Sequence, residues 1–436
     1  MLFFSFLYNL GLISAAIIFL PFILIALILV PKFRAGFWTK FGFYNIKLNQ
    51  DKNTIFFHAV SVGEVNAVET LIKKTRESFP DSNIVLSTTT KTGQEIAHKK
   101  LGNTVDTITY FPFDFFFSVN SFLNSIKPDK IIIAETEIWP DFVYLAKRRN
   151  IPVYIVNGRL SPRSYKGYKR FAFFFKPVFS QYKGIFMQTH GDVERILNVG
   201  APNDITKFMG NLKFDIKPTM NSEQITELAQ DLKLNGARMI AAASTHKGED
   251  EIILDAFKQL KKEFCDIKLL LAPRHPERYE KVEQLIAQTG FAYGKRSNND
   301  TFENNDIIML DTMGELMKMF SVCHFAYIGG SFSSTGGHNP LEANIWGKPV
   351  VSGECVFNFK DIYEFLTRSD AAKLSATPEE LTNDMRRLLA DNDFYNKACA
   401  DTSKIFEENS GAVDFVINVL NLSLIHISEP TRPRLI

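Results

Sequence analysis

A glycine-rich stretch between residues 329 and 342 is the part of the sequence whose residue types point most directly to chemistry. Two glycines follow the apolar run Phe325–Ile328, and Pro340 is suited to the first turn of a helix. Backbone N–H groups at such a corner can hold a phosphate, and Glu342 can accept hydrogen bonds from a ribose diol. The stretch predicts a nucleotide or nucleotide-sugar site, although a tight turn that needs glycine only for positive φ would have the same composition.

Three carboxylates stand where strands are predicted to end. Glu64 opens a helix after the strand 54–59. A helix N-terminus stabilises a carboxylate, so Glu64 is expected to be ionised and able to act as a base, unless it is an ordinary acidic residue of a first helical turn. Glu135 and Glu137 follow the apolar run 131–133. Because they alternate, one is expected to face the cleft and the other to face elsewhere, with helix-start acidity again as the alternative.

Cationic residues and further strand-to-helix corners follow other predicted strands. Lys213 could neutralise a phosphate or carboxylate at a cleft between domains, or be an ordinary solvated lysine. Arg274 follows a strand of the second half, where its fork geometry suits an anion. The corners 243–249 and 311–316 offer backbone N–H groups. Several such corners on one domain indicate one binding edge, since ligands bind beyond the carboxyl ends of strands in α/β sheets.

The sequence also argues against several classes of site. Lysine plus arginine (50) balance aspartate plus glutamate (48), so the charge gives no indication of nucleic-acid binding. The four cysteines form no C-x-x-C pair and indicate buried thiols in a reducing compartment. No metal-binding histidine spacing, G-x-S-x-G elbow, Walker A loop or kinase motif occurs, so no metal centre is expected. The histidines near predicted loops are His58, His246, His275 and His338.

The elements that must position these residues follow an α/β pattern. Short apolar runs alternate with helical stretches, which indicates parallel sheets buried on both faces. The pattern restarts after a polar segment at 217–222, so we expect two doubly wound, Rossmann-like domains in tandem. The predicted strands are 54–59, 83–87, 106–110, 129–134, 152–156, 184–187, 238–243, 267–272, 307–310, 324–328 and 348–351, and a last helical stretch is predicted at 394–422.

The expected division of the chain has four parts. A membrane anchor is expected at 1–31, an N-terminal α/β domain at 32–216 and a C-terminal α/β domain at 217–422. The ending, 423–436, resembles translated sequencing-adapter read-through and is expected to be non-native.

The N-terminal segment has the composition of a membrane span. Leu10–Val30 contains no charged residue and is long enough to cross a bilayer, and membrane helices tolerate a proline such as Pro21. The preceding residues are uncharged, which makes a retained secretory signal the less favoured alternative. Lys32, Arg34 and Lys40 follow the span, which predicts that the rest of the chain is cytoplasmic. The aromatic residues of an interfacial segment alternate with these cations: Phe33, Phe37, Trp38 and Phe41.

Taken together, the motifs resemble those of the 3-deoxy-D-manno-octulosonic acid (Kdo) transferase family, the membrane-anchored lipid A Kdo transferases of lipopolysaccharide core assembly. The resemblance extends from the N-terminal segment to about residue 422. The sequence departs from the family at 353–355, where Gly-Glu-Cys replaces the usual Gly-Pro, and at Asn344, where alanine is common. The motifs, in the family's order, are HAVSVGE (58–64), ETEIWP (135–140), NGRLS (157–161), GNLKFD (210–215), STHKGE (244–249), APRHPER (272–278), DTMGEL (311–316) and GGHNPLEA (336–343).

The resemblance implies a GT-B fold and an inverting glycosyltransferase without a bound metal or other cofactor. It implies CMP-Kdo as the donor, bound by the C-terminal domain, and a lipid A precursor, lipid IVA, as the acceptor, bound by the N-terminal domain. It also implies a place at the bacterial inner membrane, among membrane lipids. The family's base falls on Glu64, and its transition-state-supporting positions fall on Glu135 and Lys213. Its CMP contacts fall on Pro273, Arg274, Met313, Gly314, Glu315, Asn339, Pro340, Leu341 and Glu342.

Two alternatives stay open at this point. Another GT-B lipid glycosyltransferase could use a UDP-sugar and would release UMP or UDP instead of CMP. A membrane-tethered nucleotide-binding regulator without turnover would need no carboxylates facing the nucleotide, so Glu64 and Glu135 argue against it. The donor's own carboxylate also needs a partner, for which the candidates are Arg159, Ser161 and Arg163.

Overall fold

The computed structural model describes residues 2–30 and 34–425, and the chain divides into two compact units. The first unit comprises Met1–Asp215 and Asn409–Ile436, and the second comprises Ile216–Glu408. Each unit is built on one seven-stranded parallel sheet flanked by helices. The alternation of apolar runs and helical stretches predicts two doubly wound units of this kind, and the structure confirms the fold class.

Helices and strands of the first unit alternate along almost its whole length. Its five inner strands are continuous runs of buried residues, because apolar clusters cover both faces of the sheet. The elements are α1 (Leu2–Leu29), α2 (Phe37–Lys40), β1 (Thr54–His58), α3 (Val62–Ser78), β2 (Asn83–Thr88), α4 (Lys91–Leu101), β3 (Thr107–Tyr110), α5 (Phe116–Ile126), β4 (Lys130–Ala134), α6 (Pro140–Arg148), β5 (Val153–Gly158), α7 (Pro162–Arg170), α8 (Ala172–Phe179), β6 (Gly184–Met187), α9 (His190–Val199), β7 (Thr206–Phe208) and a 3-10 helix at Leu212–Phe214.

The second unit repeats the alternation, and its core is dominated by aliphatic residues of the central strands. Short 3-10 helices at Pro276–Arg278, Arg296–Asn298 and Phe357–Phe359 lie in its loops. Its elements, followed by the helices that end the described chain, are α10 (Ser222–Asp231), β8 (Arg238–Thr245), α11 (Glu249–Glu263), β9 (Ile267–Pro273), α12 (Tyr279–Gln288), β10 (Tyr293–Lys295), β11 (Ile307–Met309), α13 (Leu316–Val322), β12 (Phe325–Ile328), α14 (Leu341–Asn344), β13 (Val350–Gly353), α15 (Lys360–Leu366), β14 (Ala372–Ser375), α16 (Pro378–Ala390), α17 (Asn392–Asn409) and α18 (Ala412–Ile425).

Both sheets reverse their winding direction at one strand. The strand orders are β3-β2-β1-β4-β5-β6-β7 and β10-β11-β9-β8-β12-β13-β14, so β1 lies between β2 and β4 and β8 lies between β9 and β12. The connections that leave neighbouring strands at such a switch point diverge to opposite faces and open a crevice at the carboxyl edge. Glu64 and Glu135 follow the switch strands of the first sheet. The corners at 246–249 and 329–342 follow those of the second.

The predicted strands are all present, each within two residues of its predicted bounds. The strands that the sequence did not reveal are β7, β10 and β14, and all three lie at an edge of a sheet. Each is three or four residues long and contains a lysine, so none forms the apolar run by which a buried strand is recognised.

The last helix belongs to the first unit, which corrects the expectation that 217–422 forms one domain. Gly411, at φ 87°, separates α17 from α18. The carboxylate of Asp215 accepts the N–H groups of Gly411 and Val413, and the ammonium of Lys130 donates to the carbonyl of Leu420. An apolar helix face does not reveal which sheet it covers, so the sequence could not show this return. The residues of α18 in the first-unit core are Ala412, Val413, Val416, Ile417 and Leu420.

Within the described residues, α1 is the helix long and apolar enough to cross a membrane. Its window Ser5–Phe22 has a mean hydropathy of 1.8 and is almost entirely exposed. The helix begins several residues before the predicted span Leu10–Val30. The guanidinium of Arg34 donates to the carbonyls of Leu27 and Ile28 at its end. Two of the predicted flank residues, Lys32 and Phe33, and residues 426–436 of the predicted tail lie outside the described residues.

Polar side chains in the first turns of α1 bond it to the first unit. The hydroxyl of Ser5 donates to Asp141 (2.5 Å) and that of Tyr8 donates to Asp114 (3.1 Å). Asn9 donates to Asp141 and accepts the N–H of Phe116 (3.0 Å). Asp114 also accepts the N–H of Asp141 (3.1 Å) and so contacts the start of α6, which directly follows the ETEIWP acidic loop. The helix is therefore held against the first unit by hydrogen bonds and not only by the chain that connects them.

We expect Asn9→Ala to lower the free energy of unfolding by about 1–3 kcal/mol, because it removes a donor to a carboxylate and an acceptor for a backbone N–H. Denaturant unfolding in detergent measures this. Asn66→Ala, at an exposed position of α3, carries the same change in helix propensity and is expected to stay within ~0.5 kcal/mol of the parent. Equal stability of the two variants would show that the contacts of Asn9 do not hold α1.

Candidate active site

Glu64 lies in the first turn of α3, just beyond the end of β1. One of its carboxylate oxygens accepts the N–H of Val60 (2.7 Å), and the other accepts the hydroxyl of Ser61 (3.2 Å). Only 7% of the residue is exposed. The side chain therefore turns back over the strand-to-helix corner and lies at the switch point of the first sheet.

Burial raises the pKa of Glu64 to about 8, and the charges of Glu135 and Glu137 add to the rise. A helix N-terminus stabilises a carboxylate by ~0.3–1 kcal/mol, whereas one pKa unit corresponds to about 1.4 kcal/mol, so the helix dipole cannot offset the burial. The expectation that the helix N-terminus keeps Glu64 ionised is therefore wrong. The raised pKa still suits a base, since a base works best when its pKa lies near the operating pH.

Glu135 and Glu137 both act on Glu64, although alternation predicted that one of them faces elsewhere. Burial raises the pKa of Glu137 to about 7, and the charge of Glu135 adds to this effect. Glu135 has φ 57°, a left-handed conformation that non-glycine residues seldom adopt. This turn interrupts the extended backbone, so the strand rule of alternating faces no longer applies. The result is a cluster of three carboxylates at the carboxyl edge.

Lys213 is presented by the 3-10 helix Leu212–Phe214, which packs against α3. Asn157 holds this helix by accepting the N–H of Leu212 (3.0 Å), and Asn211 accepts the N–H of Lys213 itself (3.1 Å). Lys213 is half-buried, and its ammonium forms no ion pair with any residue that the structure describes. The first unit thus offers a cation able to pair with an anionic ligand.

His58, in the same motif as Glu64, has a structural role. Its Nδ1 lies 2.8 Å from the hydroxyl of Ser87, and its ring stacks on Phe111 at 3.8 Å between centroids. Complete burial lowers its pKa to about 3, so the ring is neutral. In the parts of the chain covered by the structure, no group of three or more His, Cys, Asp or Glu side chains is arranged to hold a metal ion.

The second unit is organised around a carboxylate that the sequence did not single out. Glu249, at the start of α11, is 1% exposed. Its two oxygens accept five hydrogen bonds that join the end of β8 to the loop after β12. The donors are the N–H groups of His246 (2.8 Å), Gly330 (2.7 Å), Ser331 (2.8 Å) and Phe332 (2.8 Å) and the hydroxyl of Tyr327 (2.9 Å).

The first residues of the glycine-rich stretch are bonded within the protein and do not form a phosphate site. The N–H groups of residues 330–332, which the sequence predicted as phosphate donors, already bind Glu249. Gly329 is needed for packing, because a Cβ there would lie 2.5 Å from the carbonyl oxygen of Ser244. The beginning of the stretch is therefore a structural corner, and the half-buried residues of its second part, which a ligand could reach, are His338, Asn339 and Glu342.

Arg274 and Arg278 lie on the same loop but in different environments. Arg278 donates to the carbonyl of Thr245 (2.8 Å) and pairs with the buried Asp250. Arg274 is exposed, and its guanidinium has no hydrogen bond or ion pair with the described residues. Burial raises the pKa of Glu342, and the charge of Arg274 opposes that rise. Arg274 is the arginine of this loop that is left to bind an anion.

The corner after β11 combines an exposed apolar side chain with a glycine turn. Met313 is 78% exposed, and Gly314 has φ 84°. Glu315 is held by the hydroxyl of Thr312 and lies 3.6 Å from the guanidinium of Arg296. The side chain of Glu315 is therefore engaged within the protein, and Met313 offers the accessible surface.

The other predicted contacts lie on the same carboxyl edge but differ in exposure. Pro273, Pro340 and Leu341 are buried. Asn339 is half-buried, and its side chain accepts the N–H of Leu341 (3.2 Å). The parallel sheet brings together the four second-unit corners that the sequence identified. The sequence missed Glu249, whose signal was an acid at a strand-to-helix corner inside the STHKGE motif.

The chain is similar in sequence to proteins of known family. A family model described as 3-Deoxy-D-manno-octulosonic-acid transferase (kdotransferase) matches residues 35–216. A 3-deoxy-D-manno-octulosonic acid transferase of Haemophilus influenzae is 33% identical over 392 residues, which cover 89% of this chain and 92% of the relative. The chain belongs to the Kdo transferase family.

The enzyme is therefore a glycosyltransferase of lipopolysaccharide biosynthesis. It is also similar to a second curated relative and to a solved structure. A 3-deoxy-D-manno-octulosonic acid transferase of Rickettsia bellii is 32% identical over 359 residues, 82% of each chain. The UDP-GlcNAc 2-epimerase of Neisseria meningitidis matches with a TM-score of 0.51 at 13% identity, over 84% of this chain and 99% of that one. This last likeness concerns the fold alone, and it agrees with the predicted GT-B class.

In this Kdo transferase we expect Glu249→Gln to lower the free energy of unfolding by roughly 3 kcal/mol or more, because an amide NH₂ faces N–H donors that lose their acceptor. Denaturant unfolding measures the change, and amide hydrogen exchange at residues 330–332 should accelerate. Glu223→Gln, exposed in the first turn of α10, is the matched control. Unchanged exchange at 330–332 would contradict the role of Glu249.

Proposed function

We propose that the enzyme transfers Kdo from CMP-Kdo to a lipid A precursor, lipid IVA, with inversion and without a metal ion. Membership of the Kdo transferase family supports the transferred sugar, and the eight motifs support the donor and acceptor through their resemblance to that family. The observation that carries the mechanism is Glu64, a buried carboxylate at a switch point whose pKa is raised to about 8. An alternative binder without turnover would have no need of such a base.

The reaction is a single displacement at the anomeric carbon. The acceptor hydroxyl attacks that carbon, and its proton passes to the carboxylate of Glu64. The bond between the anomeric carbon and the phosphate oxygen breaks, and its electron pair stays on the phosphate of CMP. One displacement inverts the configuration. In this proposal the negative charge of Glu135 helps to keep the pKa of Glu64 raised. Lys213 neutralises negative charge of the donor.

The second unit is the proposed donor-binding unit. Arg274 offers the phosphate a guanidinium that no described residue engages, and Glu342 offers a carboxylate to the ribose. Met313 offers an exposed apolar surface to the base. The remaining contacts are assigned to the backbone and side-chain groups of Pro273, Gly314, Glu315, Asn339, Pro340 and Leu341.

The membrane has a direct part in this proposal. The exposed apolar helix α1 is the proposed single-pass anchor in the bacterial inner membrane, with the two units in the cytoplasm. Arg34, the exposed Trp38 and Lys40 follow it in the chain, and cations interleaved with aromatic rings suit the membrane interface. An anchored enzyme meets an acceptor that is itself held in the leaflet.

Glu64→Gln is expected to reduce turnover by about 10²-fold or more, because the amide cannot accept the proton. The base must be deprotonated to act, so kcat/KM of the parent should rise with pH through about 8. Assays of Kdo transfer from CMP-Kdo, in buffers that contain EDTA, measure both. Glu77→Gln, on the exposed end of the same helix, is the control. Parent-like turnover in Glu64→Gln would exclude Glu64 as the base.

Arg274→Ala and Glu342→Ala are each expected to weaken CMP binding by about 1–3 kcal/mol, through loss of a phosphate and a ribose contact respectively. Calorimetric titration with CMP, and with UMP and UDP for comparison, measures the affinity. Arg368→Ala, at an exposed site of the same unit, should leave it unchanged. Unaltered CMP affinity in both variants, or tighter binding of UDP than of CMP, would refute the proposed donor site.

A further inference from the structure

Two histidine rings form a hydrogen-bonded pair at the carboxyl edge of the second sheet. The Nε2 atoms of His246 and His338 are 2.8 Å apart, and the rings are nearly parallel at 12° with centroids 5.1 Å apart. His275 stands edge-on to His246 at 5.3 Å. His246 follows β8 and His338 lies in the stretch after β12, so the pair spans the switch point of this sheet.

The charged and titratable groups around the pair are Glu249, Arg274, His275 and Arg278. Glu249 is already surrounded by its five donors, and Arg278 is paired with Asp250. Arg274 is therefore the cation beside the pair that can bind a ligand. The absence of a side chain at Gly330 leaves room for the pair, because a Cβ there would lie 3.1 Å from Cδ2 of His338.

The bond between the two rings limits how many protons the pair can hold. One Nε2 must carry a hydrogen and the other must accept it, so each neutral ring has a defined tautomer. A single added proton can go to the outer nitrogen of the donor ring, and the bond survives. A second added proton would set two N–H groups against each other. The pair can therefore take up one proton without breaking.

An anion at this edge needs side-chain cations. The N–H groups of residues 330–332 already bind Glu249 and are not available. A phosphate monoester carries a charge of about −1.5 to −2, which Arg274 alone does not balance. Burial lowers the pKa of His246, and burial together with the charge of Arg274 lowers the pKa of His338 to about 4, so both rings are neutral without a ligand. A nearby anion raises the pKa of both rings, because it favours their charged form.

We propose that His246 and His338 form a proton-linked anion subsite, which takes up one proton when a phosphate monoester binds beside Arg274. The subsite rests on the proposed donor-binding function of this unit. CMP-Kdo is a diester with one phosphate charge, and CMP is a monoester with a second. When the bond to the anomeric carbon breaks, the electron pair stays on the phosphate oxygen and a solvent proton moves to the outer nitrogen of the pair. The pair thus gains one positive charge as the phosphate of the product gains one negative charge.

Calorimetry of CMP binding tests this in the full-length enzyme. Titrations at pH 7.5 in two buffers with different heats of ionisation give the number of protons bound, and at this pH CMP itself is mostly dianionic. We expect the parent to take up about 0.5–1 proton per CMP. We expect the double variant His246→Gln/His338→Gln, which has no imidazole at either position, to take up almost none and to bind CMP about tenfold more weakly.

His98→Gln, an exposed histidine of α4, is the matched control and should behave like the parent. Cytidine, which lacks the phosphate, should bind without proton uptake in every variant. CMP binding to the parent without proton uptake, or equal uptake by His246→Gln/His338→Gln, would overturn the subsite and leave the donor proposal intact. A parent that does not bind CMP would overturn the donor proposal and the subsite with it.

Discussion

Each unit buries a carboxylate just beyond the end of a strand at its switch point, Glu64 in the first unit and Glu249 in the second. Removing a carboxylate from water is unfavourable unless donors or a proton compensate it. Glu249 has five donors and joins the loops after β8 and β12. Glu64 has two donors and carboxylate neighbours, and its pKa rises to about 8. The same chemical group thus supports the architecture of one unit and gives the other a group that can exchange a proton.

The sequence predicted the fold class and most strands because buried parallel strands form apolar runs. It also predicted where the candidate site lies, since Glu64, Glu135, Arg274 and Glu342 all follow such runs and parallel strands end at a common edge. The strands that the sequence did not predict are only partly buried. The edge strands β7, β10 and β14 are short and carry lysines, so their pairing depends on the sheet rather than on their own composition.

The chemistry of individual residues was harder to predict than their positions. The ionisation of Glu64 depends on burial and on two neighbouring acids, and sequence gives neither. The left-handed turn at Glu135 directs the acidic loop, yet glutamate carries no signal for that conformation. Glycine-rich composition correctly located a corner after β12 but not the partner of its N–H groups. That partner, Glu249, comes some eighty residues earlier in the chain.

Because α18 belongs to the first unit, the core of that unit can be completed only after the second unit has been synthesised. The core of that unit includes residues 412–420, which are synthesised after the whole of Ile216–Glu408. At 5–20 residues per second, the emerging first unit waits roughly 10–40 s before the helix that covers part of its sheet is available. During that interval the apolar surface of α3 lacks its final cover. The second unit has no such dependence, so the unit that begins first is completed last.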